Sequence, residues 1–161
     1  MKLKYKTGRP EAPQLNCYWR IEIMDPHLGD VQLSATEVSG LSERLKYESY
    51  RAGGDKDQFP HQRLGAPQGC MVTIKWGFFA EDQGGSHFFF NWKANLRDTR
   101  KTATFNMNIV LMDEKQNDLL VWQCHHCTPQ EYTAPTLHGS KTEVAIQTMT
   151  IEVKELISEI V

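Results

Sequence analysis

The chain has 161 residues, enough for one domain with a hydrophobic core of its own. Apolar residues make up 40% and charged residues 24%, ordinary globular usage that excludes disorder of the whole chain. With 18 basic and 20 acidic residues the formal net charge is -2, so bulk attraction to a polyanion such as nucleic acid is not the default.

Residues 1–14 (MKLKYKTGRPEAPQ) are polar and carry Gly8, Pro10 and Pro13; they read as a flexible arm ahead of a single domain over 15–161. The start has charge but no apolar segment of a secretory signal behind it. No stretch approaches the roughly 20 apolar residues of a membrane-spanning helix. Four cysteines are too few for a disulfide scaffold, so synthesis as a soluble protein in a reducing cytoplasm is expected.

The segment NCYWRIEIM then alternates, with Trp19, Ile21 and Ile23 on one face and Arg20 and Glu22 on the other. Period two predicts a half-buried strand. DPHLGD (25–30) is a turn by composition. VQLSATEVSG predicts a second strand and RLKYESYR (44–51) a third. Residues 52–69 (AGGDKDQFPHQRLGAPQG) have no lasting period and predict an extended loop, a kind that is usually functional or disordered. CMVTIKWG restores alternation, with Val72, Ile74 and Trp76 opposite Thr73 and Lys75.

One segment changes period. In SHFFFNWKANLRD, Phe88, Phe89, Trp92 and Leu96 form one helical stripe, with Ser86 as the expected N-cap and Phe90 off the stripe. TATFNMNIVLMD (102–113) predicts a strand with Ala103, Phe105, Met107, Ile109 and Leu111 on one face. Thr102, Thr104, Asn106 and Asn108 occupy the other. EKQND is a hairpin turn into LLVWQCHHC, and TEVAIQTMTIEVKEL predicts the last long strand. Together these elements predict a mainly β fold, an antiparallel β-sandwich or barrel with one packed α-helix.

QCHHC (123–127) has the look of a metal site. A zinc site needs four converging ligands. Strand alternation puts Cys124 and His126 on one face and His125 and Cys127 on the other, so an extended chain cannot gather them. Downstream only His138 remains, and the expectation is no metal, the nearest candidates being Cys124, Cys127 and His126. A thioredoxin-like pair would sit at a helix start in a βαβ unit, and a hairpin is not that context. RAGGDK and LHGSK lack the spacing of a phosphate loop. No constellation of catalytic residues assembles, so neither an enzyme nor a cofactor site is expected.

The order of features resembles a known family. EVSGLSERLKYESYRAGG is followed by RLGAPQGCMVTIKWGFF, the helical FFNWKANL, the hairpin NIVLMDEKQNDLLVWQ and the closing SKTEVAIQTMTIEV. This series resembles the inner tube proteins of contractile phage tails and contractile injection systems, over roughly 16–153. That family is similar in fold to the hemolysin-coregulated tube protein of type VI secretion. QCHHC departs from its pattern, with Pro129 matching a turn that often follows, and the arm is individual.

The resemblance implies a structural subunit that closes into rings, usually of six, and stacks into a hollow tube that a sheath drives through an envelope. The implied partners are other copies of itself, a sheath protein, baseplate, spike and tube-initiator proteins, and cargo in the lumen. A tube-initiating paralogue shares the fold. The implied setting is assembly in the cytoplasm into a particle that is released or anchored at a membrane. On this reading Tyr47, Tyr50, Arg51, Gly53, Gly54, Phe59, His61 and Arg63 are the expected inter-subunit contacts, and Thr104, Asn106 and Asn108 are candidates to line the lumen, with plain solvent exposure of a half-solvated sheet as the alternative. Two other classes compete with it: a zinc or redox module built on Cys124 and Cys127, and a monomeric carbohydrate- or protein-binding β-sandwich.

Overall fold

The computed structural model describes residues 15–51, 53–54, 61–66, 68–99 and 104–161. Nine strands and one helix lie among them: β1 Trp19–Asp25, β2 Gly29–Leu33, β3 Glu37–Ser39, β4 Tyr47–Tyr50, β5 His61–Leu64, β6 Cys70–Gly77, α1 Phe88–Thr99, β7 Phe105–Met112, β8 Asp118–Thr133 and β9 Ile146–Ile160. Seven strands form one antiparallel sheet in the order β2-β1-β7-β8-β9-β6-β3, while β4 and β5 pair only with each other. The two edge strands β2 and β3 are separated by only three residues of chain, so the sheet curls until its edges approach, a half-barrel.

The stretch VQLSATEVSG is therefore two strands at opposite edges, where alternation alone predicts one. The break at Ser34–Thr36 is held from outside. The Ser34 N–H donates to the Gly84 carbonyl at 2.9 Å, and the Thr36 N–H to the Lys75 carbonyl at 2.7 Å. Gly40 ends the edge strand with φ +86, and a Cβ there would collide with the Met71 carbonyl oxygen, so only glycine fits.

The concave face is the core. In β6 every second residue, Val72, Ile74 and Trp76, is buried, and in β7 Phe105, Met107 and Ile109 follow the same rule. Ile21, Ile23, Met149, Ile151 and Val153 complete the layer. Each such side chain contributes about 1.5–3 kcal/mol on burial.

Helix α1 packs its predicted stripe on this layer, with Phe88 and Trp92 buried and Phe89 and Leu96 partly so. The Phe88 ring meets Phe105 edge-on at 5.2 Å, and Phe89 stacks on Tyr132 at 4.7 Å. Phe90 stays exposed at the edge of the same cluster, 5.3 Å from Tyr132.

Ser86 is not the cap. It is buried, its hydroxyl donates to the Glu81 carbonyl at 3.4 Å, and its own carbonyl accepts from Trp76 Nε1 at 3.0 Å. Asp82 satisfies the helix start instead, accepting the His87 N–H at 3.2 Å and Asn91 Nδ2 at 3.1 Å. Among the described residues no helix is long and apolar enough to cross a membrane.

Candidate functional site

Three neighbourhoods bear on function. The first is QCHHC, in the middle of β8. Along β7, Phe105 pairs with Cys127 and Met107 with Cys124, so one step of two residues faces a step of three. The extra residue makes a β-bulge, with His126 in the left-handed region at φ 53. The bulge overturns the predicted alternation: Cys124 and Cys127 both face the core, each 0% exposed, while His126 stands outside. Strand β9 takes the same step, burying Val153 and Leu156 opposite the two cysteines.

Asn106 supports the bulge, its side-chain oxygen accepting the His126 N–H at 3.2 Å. Cys127 Sγ donates to the Cys124 carbonyl at 3.4 Å. Contact with the Cys124 thiol, and then burial, hold the Cys127 thiol far above its ordinary pKa; burial also raises Cys70. A thiol held protonated is a poor nucleophile and a poor metal ligand. Among the described residues no group of three or more His, Cys, Asp or Glu is placed to hold a metal ion. Pro129 lies inside β8, opposite Ile151 and beside a second bulge, rather than in a turn. A bulge tolerates the missing N–H.

The second neighbourhood is the β4–β5 hairpin. Tyr47 pairs with Leu64, Glu48 with Arg63, Ser49 with Gln62 and Tyr50 with His61. All eight residues are exposed, including Tyr47 at 56%, Tyr50 at 52% and Leu64 at 61%. Its base closes where the Gly65 N–H donates to the Lys46 carbonyl at 2.7 Å.

Sheet alternation puts Tyr50, His61 and Arg63 on one face of this hairpin and Tyr47 on the other. Tyr50 and His61 rings lie 5.5 Å apart, and Arg63 reaches Glu48 at 3.4 Å. Arg51, Gly53 and Gly54 are exposed just beyond β4, Gly54 with φ 90. Phe59 lies outside the described residues. Part of the segment expected to be an aperiodic loop over 52–69 is therefore strand β5. Its polar HQRL carries no burial pattern to reveal it.

The third neighbourhood is the convex face. Asn106 is exposed, and Thr104 and Asn108 are half-buried. Asn108 sits in a row between Glu22 on β1 and Gln123 on β8, and Gln123 Nε2 donates to Glu159 at 3.0 Å. Sequence reading missed these flanking residues, although the alternation of Arg20 and Glu22 against the Ile21 face pointed to them. Nearby, Arg20 makes a two-pronged pair with Asp118 at 2.6 and 2.8 Å and reaches Glu22 at 2.7 Å. The pair ties β1 to the start of β8; Arg20 holds the Asp118 carboxyl below the usual carboxylate range.

A curled seven-stranded sheet, one helix and an outlying hairpin match a known pattern, and the family model of the T4-like virus tail tube protein gp19 matches residues 15–157. The chain belongs to this tail tube family. Solved structures share the tail tube fold along the chain. A chain of the anti-feeding prophage cap (AFP tube terminating cap) is 19% identical, with 100% of both chains covered and a TM-score of 0.72. A chain of the sheath-tube complex of an extracellular contractile injection system, PVC, in the extended state is 19% identical, with 94% of each chain covered and a TM-score of 0.69. A chain of the AFP baseplate, 6-fold symmetrised, is 16% identical over 93% of this chain and 97% of that one, with a TM-score of 0.71. At these identities the likeness is one of fold. No curated protein matches the chain.

Proposed function

We propose that this chain is a structural subunit of the inner tube of a contractile injection system or phage tail, closing into rings of six that stack around a central conduit. The observation that carries the reading is the β4–β5 hairpin. It buries none of its own side chains, yet presents two tyrosines, a histidine and an arginine. A two-stranded hairpin is marginal in water by itself, and contact with a neighbouring copy supplies what it lacks. Tyr47, Tyr50, Arg51, Gly53, Gly54, Phe59, His61 and Arg63 form that contact. The convex polar face with Thr104, Asn106 and Asn108 lines the conduit.

The work of such a subunit is mechanical. It contributes interface strength and a wet, polar passage for cargo, with no bond-making step. Its partners are further copies of itself, the sheath around it, and the baseplate, spike and initiator at its end. Similar chains in a sheath-tube complex and in a 6-fold symmetrised baseplate support this reading. Assembly takes place in the cytoplasm, within a particle that is then released or anchored at a membrane.

Electron microscopy of the purified protein across concentrations tests it, with rings or stacked tubes expected. Deleting residues 53–66 leaves a folded monomer that cannot stack. Long tubes from that deletion would overturn the role given to the hairpin.

A further inference from the structure

The two ends of β6 carry different surfaces. Past Gly77 the ladder with the β9 segment runs one step further, the Phe78 N–H donating to the Ala145 carbonyl at 2.9 Å. Phe78 and Phe79 are nevertheless exposed, at 47% and 46%. Both are held in place. The His87 ring stacks on Phe78 at 5.6 Å, and its Nε2 donates to the Phe79 carbonyl at 2.9 Å. Rings fixed before contact lose little freedom on docking, which makes them good anchors for a partner.

Glu81 and Asp82 follow, both exposed, and give this aromatic patch an acidic border. Asp82 is engaged at the helix start. The Glu81 carboxylate makes no ion pair among the described residues.

The base of the hairpin lies at the other end. Leu45 and Leu64 line a small cleft with Leu156, and Glu43 accepts from Ser158. From Ala145 to Leu156 the β9 segment covers about 35 Å at the rise of a strand. Tyr47 pairs with Leu64 and shares its face, with Leu45 just ahead, and all three are more than half exposed. Arg44 and Lys46 flank them, exposed and without an ion pair among the described residues. The acidic groups here are already taken, Glu43 by Ser158 and Glu48 by Arg63. This end is an apolar ridge with a basic border.

The two surfaces match in chemistry and lie too far apart to meet within one chain. Contact between like surfaces is disfavoured, since it sets Arg44 and Lys46, or Glu81 and Asp82, against their own copies. Two different patches that complement each other give a head-to-tail contact. We propose that Leu45, Tyr47 and Leu64 of one subunit dock on Phe78 and Phe79 of an adjacent copy, with Lys46 against Glu81. The docking rests on the tube reading above and names the surface that receives the hairpin. Each copy so joined still offers one ridge or one patch to a further copy, so the contact propagates.

The test places a photo-crosslinking benzoylphenylalanine at position 79 of the full chain, with nitrogen-14 and nitrogen-15 protein mixed before assembly. Crosslinks of mixed isotope to peptides containing Tyr47 or Leu64 are expected. Crosslinks confined within one isotope, or to other surfaces, overturn the docking and leave the tube reading standing. Charge exchange is the second arm. Glu81→Lys and Lys46→Glu each set like charges against one another and cut tube yield at least about tenfold, with monomer unfolding unmoved because both side chains are exposed. The double variant reverses the pair and returns the yield close to wild type. Single variants with normal yield, or a double variant as poor as the singles, overturn the docking alone. Wild-type protein that forms no rings or tubes overturns both.

Discussion

Strand β6 and the β4–β5 hairpin are both antiparallel pairs of alternating residues, yet they live by different rules. In β6 each second side chain enters the core, and Trp76 is 1% exposed. In the hairpin all eight side chains stay in water, aromatic ones included. The half-barrel thus buries a core of its own, whereas the hairpin buries none of its eight residues within the chain. On the proposed function, substitutions in the two regions should therefore separate folding from assembly.

The largest effect belongs to the half-barrel. Trp76→Ala removes a buried ring and the donor to the Ser86 carbonyl, and costs about 3–5 kcal/mol in urea unfolding. A loss below about 1 kcal/mol would mean that the core does not rest on β6. Cys127→Ser comes next. It puts a more polar group at a site 0% exposed, where the Cys124 carbonyl offers one partner, and costs about 1–3 kcal/mol. A neutral result would move Cys127 out of the core, and with it the bulge.

A smaller effect sits at the Arg20–Asp118 pair, and its sign follows from the pKa direction. Arg20 lowers the folded pKa of Asp118, so the pair's contribution is present above the ordinary carboxylate value of about 3.9. It is lost as pH falls through the lower folded value. Arg20 keeps its charge throughout, its own pKa being raised by the same contacts. The urea midpoint of the wild type is expected to fall more steeply than that of Asp118→Asn as pH drops below about 4, the ordinary carboxylate value. Equal slopes would show that the pair ties β1 to β8 without stabilising the fold.

The difference between the regions also explains what the sequence could reveal. Alternation in 70–77 and 105–112, and the stripe Phe88, Phe89, Trp92 and Leu96, mark elements that bury a face, and burial leaves a period. The bulge at QCHHC leaves none. It adds one residue without a glycine, and one residue is enough to exchange the faces of a strand. Positive φ at a histidine is uncommon, so nothing in the letters announced His126. The split of β2 from β3 depends on carbonyls of Gly84 and Lys75, far along the chain. Strand β5 is exposed on both faces and so carries no hydrophobic period at all.

The smallest change in stability is expected where the comparison is sharpest. Tyr47→Ser with Tyr50→Ser alters two residues that are more than half exposed, and shifts monomer unfolding by no more than about 0.5 kcal/mol. Tube length by electron microscopy should nonetheless collapse, because both faces of the hairpin lose their aromatic contact. Tubes of normal length would place the stacking surface elsewhere. A stability loss of about 2 kcal/mol would mean that the hairpin leans on its own half-barrel after all, and the division between folding and assembly would then fail at the element that defines it.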